Sequence, residues 1–80
     1  MTTVTPTTSW SAGVTLTEQT LFQVNKGSVY LCFEVAKPSD TEDGLLMHSA
    51  DGIVVPSGNK VYWKLAEVST ASLWYGKFLA

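Results

Sequence analysis

Between Ser28 and Val35 every second residue is large and apolar: Val29, Leu31, Phe33 and Val35 alternate with Tyr30, Cys32 and Glu34. A period of two places the first set on one face of an extended strand and the second on the other, a pattern that no helix face can collect. Similar segments recur at Thr20-Leu21-Phe22-Gln23-Val24, at Gly52-Ile53-Val54-Val55, at Lys60–Leu65 and at Ala71–Phe78. They are rich in Val, Tyr, Trp, Phe and Thr, residues that suit a pleated, half-buried surface. In Lys60–Leu65 the spacing turns Val61, Trp63 and Leu65 inward and Lys60, Tyr62 and Lys64 outward. No run of about ten residues holds a helical period with a cap at each end. The chain is therefore expected to be all-β, a small single-domain antiparallel sandwich or barrel-like fold of about six or seven short strands.

Turn chemistry suggests which strands pair. Asn25-Lys26-Gly27 ends in a glycine suited to a left-handed turn position, which predicts a hairpin between the segments on either side. Pro56-Ser57-Gly58-Asn59 predicts a second hairpin, between Gly52–Val55 and Lys60–Leu65. Leu45-Leu46-Met47 reads as a short strand or a core-plugging segment, and Lys37–Gly44 as an acidic surface loop. Residues 1–9, mostly threonine with one proline, read as an extended N-terminal arm, leaving residues 10–80 as the β domain.

Eighty residues bury only about 60% of the surface that the unfolded chain exposes, so a domain of this size needs support. One cysteine, Cys32, rules out an internal disulfide, and the expected support is association with copies of itself or with a larger assembly. The net charge is −2 and the five basic residues are all lysines, which argues against a nucleic-acid partner. No stretch approaches the roughly 18 apolar residues of a membrane span, and the first residues lack a secretory pattern. A soluble protein made in a reducing cytoplasm is the expectation.

Catalytic chemistry has little to work with. A Cys–His pair would have to use Cys32 and His48, and a thiol set among large apolar residues usually behaves as a small hydrophobe. Those two residues match no common zinc arrangement, and Asp40, Glu42 and Asp43 before Gly44 lack the length of a calcium-binding EF-hand loop. We expect no enzyme, metal or cofactor site. The aromatic residues say more. Trp63 is expected in the core, whereas Trp74 and Tyr75 are adjacent on a strand and so point to opposite faces. An outward ring suits a protein interface, and Tyr62, Trp74, Tyr75 and Phe78 are the candidate interface residues. The rival reading is a carbohydrate-binding module that stacks sugars on outward Trp and Tyr.

Three stretches carry a family resemblance: Trp10-Ser11-Ala12-Gly13-Val14-Thr15-Leu16-Thr17-Glu18 with Leu21-Phe22-Gln23, then Asp51–Tyr62, and the aromatic C-terminus. Together they resemble small virion proteins of tailed bacteriophages, in which a threonine-rich leader precedes a compact β-sandwich. The resemblance implies a non-catalytic structural role, in head decoration or in tail or fibre attachment. It also implies a homo-oligomer in contact with other virion proteins, made in the host bacterial cytoplasm and located in the virion. By the same analogy the N-terminal arm reaches across to a neighbouring subunit.

Overall fold

The computed structural model describes residues 2–33, 36–66 and 70–78. Among these residues eight strands follow in chain order: β1 (Thr2–Val4), β2 (Val14–Thr15), β3 (Thr20–Lys26), β4 (Ser28–Cys32), β5 (Leu45–His48), β6 (Gly52–Val55), β7 (Lys60–Leu65) and β8 (Ser72–Lys77). They form two antiparallel sheets of four, ordered β1-β8-β3-β6 and β2-β7-β4-β5. Between the sheets lies one apolar core, in which Phe22, Val24 and Leu73 from the first sheet meet Val29, Leu31, Met47 and Val61 from the second.

The all-β expectation holds, with eight strands among the described residues where about six or seven were expected. Both predicted hairpins are corrected. β3 pairs with β6 and β8, and β4 pairs with β5 and β7, so the two strands flanking Gly27 lie in opposite sheets. Gly27, at φ +72°, turns the chain from one sheet to the other, and an added Cβ would stand 2.9 Å from Ala71 Cβ and from the Thr70 carbonyl oxygen. The Pro56–Asn59 turn likewise carries the chain from β6 in one sheet to β7 in the other. Both turns have the residues a hairpin wants, but a corner between sheets asks for the same reversal and the same positive φ.

The proposed arm is not separate from the domain in this fold. Thr2, Thr3 and Val4 pair with Tyr75, Trp74 and Leu73 of their own β8, and Pro6 is buried. β4 stops at Cys32, so Phe33, expected in the core, is exposed at the rim; Glu34 and Val35 lie outside the described residues. Leu45–His48 is a strand, with Met47 buried and Leu45 and Leu46 exposed.

Alternation correctly separates the faces of β7, but its outer face is not open. The Thr7 and Ser11 region runs along β7: Leu65 N–H donates to Thr7 O at 2.7 Å, Ser11 N–H to Trp63 O at 2.9 Å, and Trp63 N–H to Ser11 Oγ at 3.1 Å. From there Trp10 folds over the sheet and forms a second apolar cluster with Cys32 and Tyr62, with Tyr30 packed against it. The acidic loop completes this cover. Trp10 donates its N–H to Asp40 Oδ1 at 3.0 Å and its Nε1–H to Ser39 O at 2.9 Å. Lys64, only 6% exposed, donates from Nζ to the carbonyl oxygens of Asp40 (2.9 Å) and Glu42 (2.6 Å), with the Trp10 and Tyr30 rings 5.0 and 5.5 Å away. Carbonyl dipoles and ring faces thus replace the water that a buried ammonium loses.

Candidate interaction surface

The four candidate interface residues are not brought together. Tyr62 is 2% exposed beneath Trp10, which places it inside the monomer and not at its surface. Tyr75 is turned to the inner face, half-buried, stacked on Phe22 and tilted against Trp63. Trp74 does point outward, half-buried, between Thr3 on β1 and Gln23 on β3, and Phe78 is exposed just beyond β8. Trp63 is half-buried against the core.

A different surface emerges where the edges of the two sheets meet. β5 ends one sheet and β6 ends the other, and only residues 49–51 separate them. Those residues are tightly tied. Asp51 accepts the His48 N–H on Oδ2 at 2.8 Å and donates its own N–H to His48 O at 2.9 Å. Ala50 N–H donates to Val24 O while Val24 N–H donates to Asp51 O, so two residues oppose one in a bulge, with Ala50 at φ +76°. Ser49 Oγ–H donates to Asn25 O at 3.2 Å. The turn therefore holds both edge strands on one flank of the sandwich. At the entry to β5, Gly44 packs so closely that an added Cβ would collide with the Leu31 carbonyl oxygen and touch the Trp10 ring.

Among the described residues the exposed large apolar side chains are Phe33, Leu45, Leu46, Val54 and Phe78, and the first four lie on this flank. Beside them opens a cleft of about 250 Å³ lined by Phe33, Ile53, Val54, Val55, Pro56 and Asn59. Its lining carries no ionisable side chain, so it offers contact area and no acid–base chemistry. Alternation alone does not find this surface, because it depends on which strands become edges.

A groove of about 320 Å³ on the opposite flank is polar, lined by Thr2, Thr15, Thr17 and Thr20 with Tyr75 and the ion pair Lys77 Nζ–Glu18 Oε2 at 3.1 Å. Cys32 and His48 are not partners: His48 stands opposite Ser28, four residues along β4 from Cys32, about 13 Å away. His48 Nδ1 lies 2.8 Å from Ser28 Oγ, but the Asp51 carboxylate engages the His48 backbone and does not orient the ring as a catalytic third member would. Among the described residues no three His, Cys, Asp or Glu side chains gather as metal ligands.

No protein-family model matches the sequence. No curated protein matches it either. Among solved structures, the crystal structure of a cupin-2 domain containing protein from Shewanella frigidimarina NCIMB 400 is similar, with a TM-score of 0.63 and 12% sequence identity. The match covers 95% of this chain and 67% of that one. At this identity the likeness is one of fold, and the chain's two antiparallel four-stranded sheets form a cupin-like β-sandwich.

Proposed function

We infer that this protein is a non-catalytic structural module that works by symmetric association with copies of itself. The setting its sequence resembles is the virion of a tailed phage, as a head decoration or a tail or fibre-attachment component. One observation carries the association: four exposed large apolar side chains border two sheet edges, Leu45 and Leu46 on β5, Val54 on β6 and Phe33 across the cleft beside β6. Exposed apolar edges are normally blunted by charge, proline or a covering segment, and one left open is a surface for another chain. Closed symmetry would hide the flank in every copy. The non-catalytic part rests on the sequence, in which Cys32 and His48 are the one thiol and the one imidazole.

Sugar binding has less support. It asks for two open outward rings side by side, whereas Tyr62 is covered by Trp10, Tyr75 turns inward and Trp74 makes no ring contact among the described residues. The test is a Leu45→Lys, Val54→Lys double variant compared with the native chain by light scattering. The oligomer of the native chain should fall to the 8.7 kDa monomer with its circular dichroism unchanged. An oligomer of undiminished mass would remove the flank from the account.

A further inference from the structure

The backbone at the β5 edge specifies more than an apolar patch. In an antiparallel ladder, opposed residues alternate between pairs that exchange both hydrogen bonds and pairs that exchange none. Ser28 O accepts from Ala66 N–H at 3.1 Å, so the polar groups of Ser28 face the β7 side and the Ser28–His48 pair exchanges no bonds. Counting along the register, Val29–Met47 and Leu31–Leu45 are bonded pairs, and Tyr30–Leu46 is not. The N–H and C=O of Leu46 and of His48 therefore point away from β4, to the open edge.

At His48 both outward groups are already taken, the N–H by the Asp51 carboxylate and the C=O by the Asp51 N–H. Leu46 is left as the residue of β5 whose outward donor and acceptor meet no further strand among the described residues. One donor and one acceptor on a single residue match a second copy of the same residue related by a two-fold axis. We propose that two copies of this chain join β5 to β5 antiparallel, with the axis at Leu46, so that each Leu46 N–H donates to the other's C=O. The result is one eight-stranded sheet, β2-β7-β4-β5 continued by β5-β4-β7-β2 of the second copy.

The register centred on His48 is blocked by the Asp51 cap, which takes both of its outward groups. The paired segment 44–48 carries no carboxylate, so two chains of net charge −2 meet there without acid facing acid. Pairing covers Leu45 and Leu46, which are 46% and 45% exposed in the monomer. A stable interface takes about 800 Å² from each partner, which is under a fifth of this chain's 4527 Å² surface. The edge of β6 is a poorer seat, because its outward positions include Gly52 and the strand runs directly into Pro56.

This proposal rests on the self-association reading and names its contact. Leu46→Cys tests it directly, since bonded antiparallel partners stand about 5.5 Å apart at Cα, within the reach of a disulfide. Mild oxidation should convert the variant to a disulfide-linked dimer, reversed by reductant, while the native chain with its buried Cys32 and an Ala12→Cys control remain uncrosslinked. Leu46→Pro removes the outward N–H without removing a bond of the β4–β5 ladder, and should lower the dimer fraction at least tenfold with the native circular dichroism kept. If Leu46→Cys fails to crosslink in a native oligomer that Leu45→Lys, Val54→Lys disperses, the β5 geometry is overturned and association through the flank stands. If the native chain is a monomer throughout, both fall.

Discussion

The Tyr75 ring stacks on Phe22, with centroids 5.2 Å apart and planes 21° from parallel, and Trp63 closes on it from the opposite sheet at 5.5 Å. These three rings join the two sheets near the centre of β3, β7 and β8. Phe22 is fully buried, and Phe22→Ala should cost about 3–5 kcal/mol, enough to unfold most molecules of a domain this small. Tyr75→Phe keeps the ring stack and should cost under about 1 kcal/mol. Thermal melts of both variants check the contrast.

Lys64 links three segments through its ammonium: β7, the 39–44 loop and the Trp10 cover. Lys64→Ala strips two carbonyls of their donor and two rings of their cation, with an expected cost of about 2–3 kcal/mol. Loop amides such as that of Glu42, which donates to Ser39 O at 2.9 Å, should then exchange faster than in the native chain, by more than the loss of global stability accounts for. Equal exchange in variant and native chain would mean that Lys64 does not hold the loop.

Ala50 occupies φ +76°, a conformation that costs a residue with a Cβ and that glycine adopts freely. Ala50→Gly should stabilise by about 0.5–1 kcal/mol, the relief of strain being partly offset by greater freedom in the unfolded chain. The melting temperature should rise by roughly 2–6 °C. A fall would show that the turn does not hold Ala50 in the left-handed region.

The Lys77–Glu18 pair is about half exposed at both ends. Solvent screens such a pair, so Lys77→Ala should shift stability by no more than about 0.5 kcal/mol in a denaturant titration. A larger loss would assign Lys77 a role in the polar groove that its ion pair does not explain.

Strand positions were largely legible in the sequence: Lys60–Leu65 and Gly52–Val55 coincide with β7 and β6, and Thr20–Val24 falls within β3. Pairing was not, because Gly27 and the Pro56–Asn59 turn serve an inter-sheet corner as well as a hairpin. Alternation also told the faces of Tyr62, Lys64 and Cys32 correctly while leaving their burial unread. Which face a residue takes is local, but the cover over that face comes from Trp10 and residues 39–44, far along the chain. The flank was illegible for the same reason, since Leu46 becomes an edge residue only once the sheet order is set.

Self-association is the claim on which the functional reading depends, and the molar mass of the native protein by light scattering over a tenfold range of concentration tests it most directly. The account predicts a discrete oligomer, an even multiple of 8.7 kDa, that persists or grows in proportion as concentration rises. A monomer of 8.7 kDa at every concentration would contradict it.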